Sequence, residues 1–327
     1  MSMPLSSSTK VGRAVVAFVS VAVIYELAFL GRNSRLQDPL LWYSPTVQEK
    51  AIEISSGEVE DVDVLFIGSS MTDRVIDVDT FDRLTGLSSW NGGIPGAQVS
   101  VLDRWLAEEV TPASNSELIV VGLSSLELND GRLDPTIDRY ERQLATRQDV
   151  FARGERTLME FSAFYRHRQQ LRAPLTLIED IAGDPVLSDD VLSEPLPSGG
   201  FRPGNISRIR ETVLNDYSLG GREALALDAL LARLEDLSVE VAVVWMPVPL
   251  RYVELHPNAS ADFEAAMSLA AQVSEDRGAT FIDLSRDFPD SDFADLTHLS
   301  DPAAVEFTAA LAGELGLSAT APRRSDE

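Results

Sequence analysis

Cysteine is absent from the 327-residue chain, which removes disulfides, thiolate nucleophiles, iron–sulfur clusters and cysteine-ligated zinc together. Histidine is nearly absent as well: His167, His256 and His298 are the three imidazoles on offer for base catalysis or metal binding. Lysine is confined to Lys10 and Lys50, and 27 basic residues face 52 acidic ones, a net charge of −25. So negative a surface repels phosphates, and no nucleic-acid partner is expected. No HExxH, Walker loop or dinucleotide fingerprint occurs, and the acidic pairs Glu108-Glu109 and Asp189-Asp190 read as solvated faces, so neither a metal nor an organic cofactor is expected. No repeat of fixed period is present, which disfavours a solenoid or propeller.

One long apolar run is present. Seventeen residues from Ala14 to Leu30, broken only by Ser20 and Glu26, follow Lys10 and Arg13. A membrane-spanning helix needs roughly 20 apolar residues, with about 17 as the lower limit. The run exceeds a signal-peptide core, and the residues behind it offer no small-x-small cleavage site. Residues 1–35 are therefore read as a tail and an uncleaved anchor helix whose partner is the lipid bilayer. Arg32 and Arg35 match the basic residues in front, so charge alone does not orient the segment. A short N-terminal tail that stays in the cytoplasm places the remainder outside it. The alternative is a hydrophobic helix packed on the soluble domain.

Residues 36–60 read as a polar tether, 61–318 as one domain and 319–327 as a polar tail. Within the domain, Asp61 to Gly68 has the continuous apolar run of a buried parallel strand, and similar runs recur at Glu117 to Gly122, Val239 to Met246 and Ala279 to Leu284. Helical spacing fills Gln98 to Glu109, Gly221 to Asp236, Ser260 to Arg277 and Pro302 to Leu315. Strands alternating with helices indicate an α/β fold with a parallel sheet covered on both faces. The stretch of about 131–215, helical and then rich in Pro, Ser and Gly, reads as an insertion: either a lid or a solvated excursion.

Two constellations carry candidate chemistry. In FIGSSMTDR, Ser70 sits where a buried strand turns into the next segment, a position that serves either as a helix cap or as a nucleophile. In FADLTHLSDPAA, Asp295 and His298 stand just ahead of a helix whose start is marked by Ser300 or Asp301 and Pro302. A serine hydroxyl needs a base to take its proton and a carboxylate to orient that base, and Ser70, His298 and Asp295 supply those roles. The glycines of WNGGIPGAQVS allow a close backbone approach to a ligand or simply a turn. His167, set among arginines, reads as a surface residue, and His256 either lines the site rim or does not.

The order of these motifs resembles the SGNH/GDSL hydrolase superfamily, in particular its membrane-anchored acyltransferase-like branches. That resemblance implies a three-layer α/β/α, flavodoxin-like sheet of about five strands. It implies Gly68 and Ser70 as the first block, and Gly96 as an oxyanion donor beside the Ser70 N–H in a loop shaped by Asn91 and Gly93. The third block departs from the pattern, because Gly122 is followed by LSSLELND. Either Asn129 still reaches the site as a second oxyanion donor, or Ser124 or Ser125 replaces it, or the donor is missing. The resemblance further implies an esterase or O-acyltransferase acting on acyl esters of a cell-envelope glycan or related small substrate, beside a polytopic membrane O-acyltransferase. A catalytically decayed scaffold or glycan-binding protein is the alternative.

Overall fold

The structure, a computed structural model, describes residues 44–111, 115–132, 137–145 and 209–317, with Trp42, Ser162, Tyr165, Ile206 and Ser207. The chain divides into two units, and the one formed by residues 44–141 and 187–327 holds every element described below. Of the other, residues 1–43 and 142–186, only Trp42, residues 142–145, Ser162 and Tyr165 are described. The run Ala14–Leu30, His167 and most of the insertion lie outside the described residues. Among the described residues no helix is long and apolar enough to cross a membrane.

Five strands form one sheet: β1 (Val64–Gly68), β2 (Ser89–Asn91), β3 (Leu118–Leu123), β4 (Glu240–Trp245) and β5 (Thr280–Asp283). Their order is β2-β1-β3-β4-β5, and every neighbouring pair is parallel. Every residue of β1 and β3 is buried, as strands covered on both faces must be, and their unbroken apolar sequence follows from that. The outer strands β2 and β5 are partly exposed. The helices fall into two packed groups. One comprises α4 (Val99–Trp105), α5 (Arg222–Asp236) and α7 (Ser260–Asp276); the other comprises α2 (Ser70–Val75), α3 (Val78–Thr85) and α8 (Asp301–Glu314), and the short α6 (Leu250–Val253) precedes α7 in the chain. A π-helical turn, Leu106–Val110, continues α4.

One element departs from the sequence reading. Residues expected as tether form α1 (Pro45–Ser56), begun by proline and closed by Gly57 at φ 88°. Val47, Lys50 and Ile54 are its buried residues, spaced as one helical face. A lysine in the middle of that face made it look polar. The Lys50 ammonium pairs with Asp73 at 2.9 Å, donates to the Asn91 carbonyl and stands 5.8 Å from the Trp90 ring centroid. The Trp90 indole N–H donates to Glu53 at 2.7 Å.

The strand order fixes where a ligand belongs. The chain makes β2 on one side of β1 and then β3 on the other, so the connections leaving β1 and β3 diverge. The crevice outside those carboxyl ends is where open sheets of this order bind ligands. Gly68, the last residue of β1, pairs with Gly122, the last but one of β3. A Cβ on Gly68 would overlap the Thr72 side chain and come within 2.8 Å of the Gly122 carbonyl oxygen, so the glycines let α2 settle onto the sheet edge.

Candidate active site

Ser70 is the first residue of α2, directly after Ser69, whose hydroxyl caps the helix by accepting the Met71 N–H. The side chain is buried at the sheet edge. His298 reaches it from the other end of the domain: its Nε2 lies 3.0 Å from the Ser70 hydroxyl, and its Nδ1 lies 2.7 Å from Asp295 Oδ2. A carboxylate can only accept, so Nδ1 carries the proton towards Asp295, and Nε2 is left bare to accept from Ser70. Serine, imidazole and carboxylate thus stand in one hydrogen-bonded series, brought together from residues 70 and 295–298.

The turn that delivers Asp295 and His298 is built by Asp295 itself. Its Oδ1 accepts the backbone N–H groups of Thr297 (2.7 Å) and His298 (2.8 Å), leaving Oδ2 for the imidazole. The Ala294 N–H donates to the His298 carbonyl at 2.9 Å, and Ser300 then stands at the N-cap position of α8 in extended conformation. The registry between the two parts is held by Thr308 on α8. Its hydroxyl accepts the Asp77 N–H at 3.0 Å and lies 3.3 Å from the Val75 carbonyl at the end of α2. Burial pushes the Asp295 carboxyl up, but the His298 charge and the hydrogen bonds from His298 and Thr297 outweigh it and hold the group below its ordinary value of 3.8.

That depression sets a test. A carboxyl lowered in the folded state contributes stability that is present above its unfolded value and lost as pH falls through the folded one. Asp295→Asn is therefore expected to be less stable than wild type at neutral pH, with a flatter loss of stability below the ordinary value of 3.8, measurable in urea melts across acid pH. The amide would also place an N–H against Nδ1 and force the proton onto Nε2, facing Ser70. Any reaction in which Ser70 attacks with His298 as its base should then slow by about 10⁴-fold.

The loop between β2 and α4 lies where the sequence put it. Gly96 adopts φ 76°, a left-handed conformation that favours glycine, and among the described residues nothing accepts a hydrogen bond from its buried N–H or from that of Ser70. Asn91 donates to the carbonyls of Thr72 (2.9 Å), Asp73 (3.3 Å) and Ile76 (3.2 Å), and accepts from the Gly93 N–H at 3.0 Å. The loop is thereby sewn to the helix that carries Ser70. A Cβ on Gly93 would stand 2.6 Å from the Asp73 nitrogen, so only glycine allows that approach.

The third block is corrected. Asn129 is fully buried and no oxyanion donor: its amide donates to the carbonyls of Val213 (2.7 Å) and Asn215 (3.3 Å), and its oxygen accepts from Gly131 and Ser218, both at 3.0 Å. Both amide protons are spent holding the segment at 213–218. The two serines weighed in its place are spent as well. Ser124 donates its hydroxyl to Glu127 at 2.7 Å, and Ser125 meets His256 Nε2 at 2.9 Å. His256 turns its Nδ1 to the Val253 carbonyl at 3.1 Å among the rings of Tyr217, Tyr252 and Phe263. Burial holds it below the ordinary imidazole value, so it is a neutral packed residue rather than part of a rim. Among the described residues no group of three or more His, Asp or Glu could hold a metal ion.

No family model matches this chain, and no curated protein does. Solved structures similar to it include a catalytic mutant of the acetylxylan esterase Axe2 from Geobacillus stearothermophilus, at 13% identity and a TM-score of 0.41 over 79% of this chain and 95% of that one. A candidate acylhydrolase from Bacteroides fragilis is similar at 11% identity and a TM-score of 0.44, over 83% and 97%. A candidate platelet activating factor protein from Streptococcus pneumonia is similar at 11% identity and a TM-score of 0.45, over 93% and 99%.

Proposed function

We infer that the chain is a serine ester hydrolase or acyltransferase of the SGNH type, working through Ser70, His298 and Asp295. The supporting observation is the unbroken series from the Ser70 hydroxyl through His298 to Asp295, set in the crevice where this sheet order binds ligands. Ser70 attacks an ester carbonyl while His298 Nε2 takes its proton, and Asp295 steadies the resulting imidazolium. The N–H groups of Ser70 and Gly96, which have no acceptor among the described residues, hold the developing oxyanion. The protonated His298 then gives its proton to the departing alkoxide, leaving an acyl group on Ser70. Water or a hydroxyl acceptor, deprotonated in turn by His298, releases it.

The finer reading rests on the sequence. The Ala14–Leu30 run anchors the protein in a bilayer with its catalytic domain extracytoplasmic, the substrates are acyl esters of an envelope glycan, and a polytopic O-acyltransferase is its partner. The rival, a decayed scaffold on the same fold, draws its support from the engagement of Asn129 elsewhere. The protein in detergent, treated with a fluorophosphonate probe and digested, is expected to carry the adduct on the peptide containing Ser70. Folded protein that stays unlabelled would leave the scaffold reading standing in its place.

A further inference from the structure

The start of the insertion sends one side chain to the loop that carries Gly96. Residues 137–141 are helical, and Ile137 and Tyr140, three apart and both buried, share one face. Glu141 fixes this stretch on the domain by accepting from the Arg222 guanidinium, at the start of α5, at 2.9 Å. Tyr140 is 1% exposed, and its hydroxyl donates to the Pro95 carbonyl at 3.1 Å.

That carbonyl belongs to the same peptide unit as the Gly96 N–H. The unit is trans, and in a planar trans peptide the C=O and the N–H point in opposite directions. A donor on the Pro95 oxygen therefore fixes where the Gly96 hydrogen points, away from Tyr140. The same unit is the one that this turn can flip. The Ala97 N–H donates to the Ile94 carbonyl at 3.1 Å, closing a four-residue turn with Pro95 and Gly96 in its middle. Proline sets φ near about −65° and Gly96 has φ 76°, the combination of a type II turn. Types I and II differ by a half-turn of the central peptide, with ψ of the first middle residue moving between about −30° and about 120°. Here the central peptide is Pro95–Gly96. The turn stands beside the nucleophile, because the Ile94 N–H donates to the Gly68 carbonyl at 2.8 Å, two residues ahead of Ser70.

We propose that Tyr140 is a positioning residue for the oxyanion hole, holding the Pro95–Gly96 peptide in the orientation that presents the Gly96 N–H to the reacting oxygen. It rests on the reading of Ser70 as nucleophile and Gly96 as donor. The bond from the phenol also polarises the peptide and makes its N–H a stronger donor. Without the hydroxyl the flipped turn becomes accessible, and a flipped peptide turns its carbonyl oxygen towards the developing negative charge.

The test is Tyr140→Phe in the full chain, read by the kinetics of fluorophosphonate labelling and by protection from labelling with an aryl trifluoromethyl ketone. Ser70 adds to the carbonyl carbon of that ketone while His298 takes the serine proton, and the ketone oxygen becomes an oxyanion. Phenylalanine keeps the buried ring, so the variant is expected to fold. A lost oxyanion donor costs about 100- to 1000-fold, and one that stays but is free to flip should cost about 10- to 100-fold in the maximal labelling rate. The probe concentration giving half that rate should hardly change. The trifluoromethyl ketone should weaken by a factor similar to the loss in rate, while the matching methyl ketone, whose carbonyl stays planar, should protect both proteins alike. A residue that only supported the fold would lower the melting temperature without singling out the ketone that forms an oxyanion. Gly96→Ala disfavours the same orientation from the other side, because alanine is strained at φ 76°. The double variant should then label little more slowly than the slower single one. Wild-type labelling and ketone affinity in Tyr140→Phe would overturn the proposal and leave Ser70 as nucleophile, and so would losses that add in the double variant. A phenylalanine variant that does not fold would assign the hydroxyl to the scaffold and overturn it as well. Wild-type protein unlabelled at Ser70 would remove the serine reading and this one together.

Discussion

Alanine at position 70 is expected to eliminate fluorophosphonate labelling and to lower ester turnover by about 10⁶-fold, with the melting transition nearly in place. Only the hydroxyl is lost, and among the described residues its one bond is the 3.0 Å contact to His298 Nε2. Alanine is well tolerated at the first position of a helix whose cap, Ser69, is untouched. The imidazole keeps its bond to Asp295, so no buried charge is left without a partner. The residue of activity over water would come from the N–H groups of residues 70 and 96, which a side-chain substitution does not remove. The measurement is gel fluorescence of the labelled protein beside turnover of an aryl ester, with thermal melts of both proteins. Undiminished labelling in the variant would show that the probe reacts elsewhere and that Ser70 is not the nucleophile.

The sequence carried the sheet well because β1, β3 and β4 are buried in the middle of it, and a strand covered on both faces has to be apolar throughout. Amphipathic α5 and α7 were legible for the same reason, since each turns an apolar face to the sheet, and α8 was legible from its punctuated start, although it packs on α2 and α3. What escaped was held by polar groups. The face of α1 centres on Lys50, whose charge is offset by Asp73 and stands over the Trp90 ring, and hydropathy cannot register a buried cation of that kind. β2 is three residues long, too short for alternation to show. In the site, Ser70, Asp295 and His298 came from the punctuation around them, a strand end and a helix start. Asn129 was misread because a motif position says where a residue falls in the chain and not which carbonyls wait beside it.

His298→Ala is the second substitution from which a loss of about 10⁶-fold in turnover is expected, and it separates the base from the scaffold around it. Without the imidazole the Ser70 hydroxyl has no acceptor for its proton, and its ordinary nucleophilicity at neutral pH is far too low for ester attack. The structural cost is larger than for Ser70. His298 is 2% exposed, so its removal leaves a cavity and deprives Asp295 Oδ2 of its partner. A loss of about 1–3 kcal/mol is expected from the unsatisfied acceptor. The turn itself should survive, because Asp295 Oδ1 keeps the N–H groups of Thr297 and residue 298, which are backbone donors present in any variant. Small imidazoles added to the medium can enter such a cavity, and partial recovery of labelling with them would identify the missing group as a base. Turnover at the wild-type rate in a folded His298→Ala protein would remove the imidazole from the mechanism, and with it the reason for Ser70 to react.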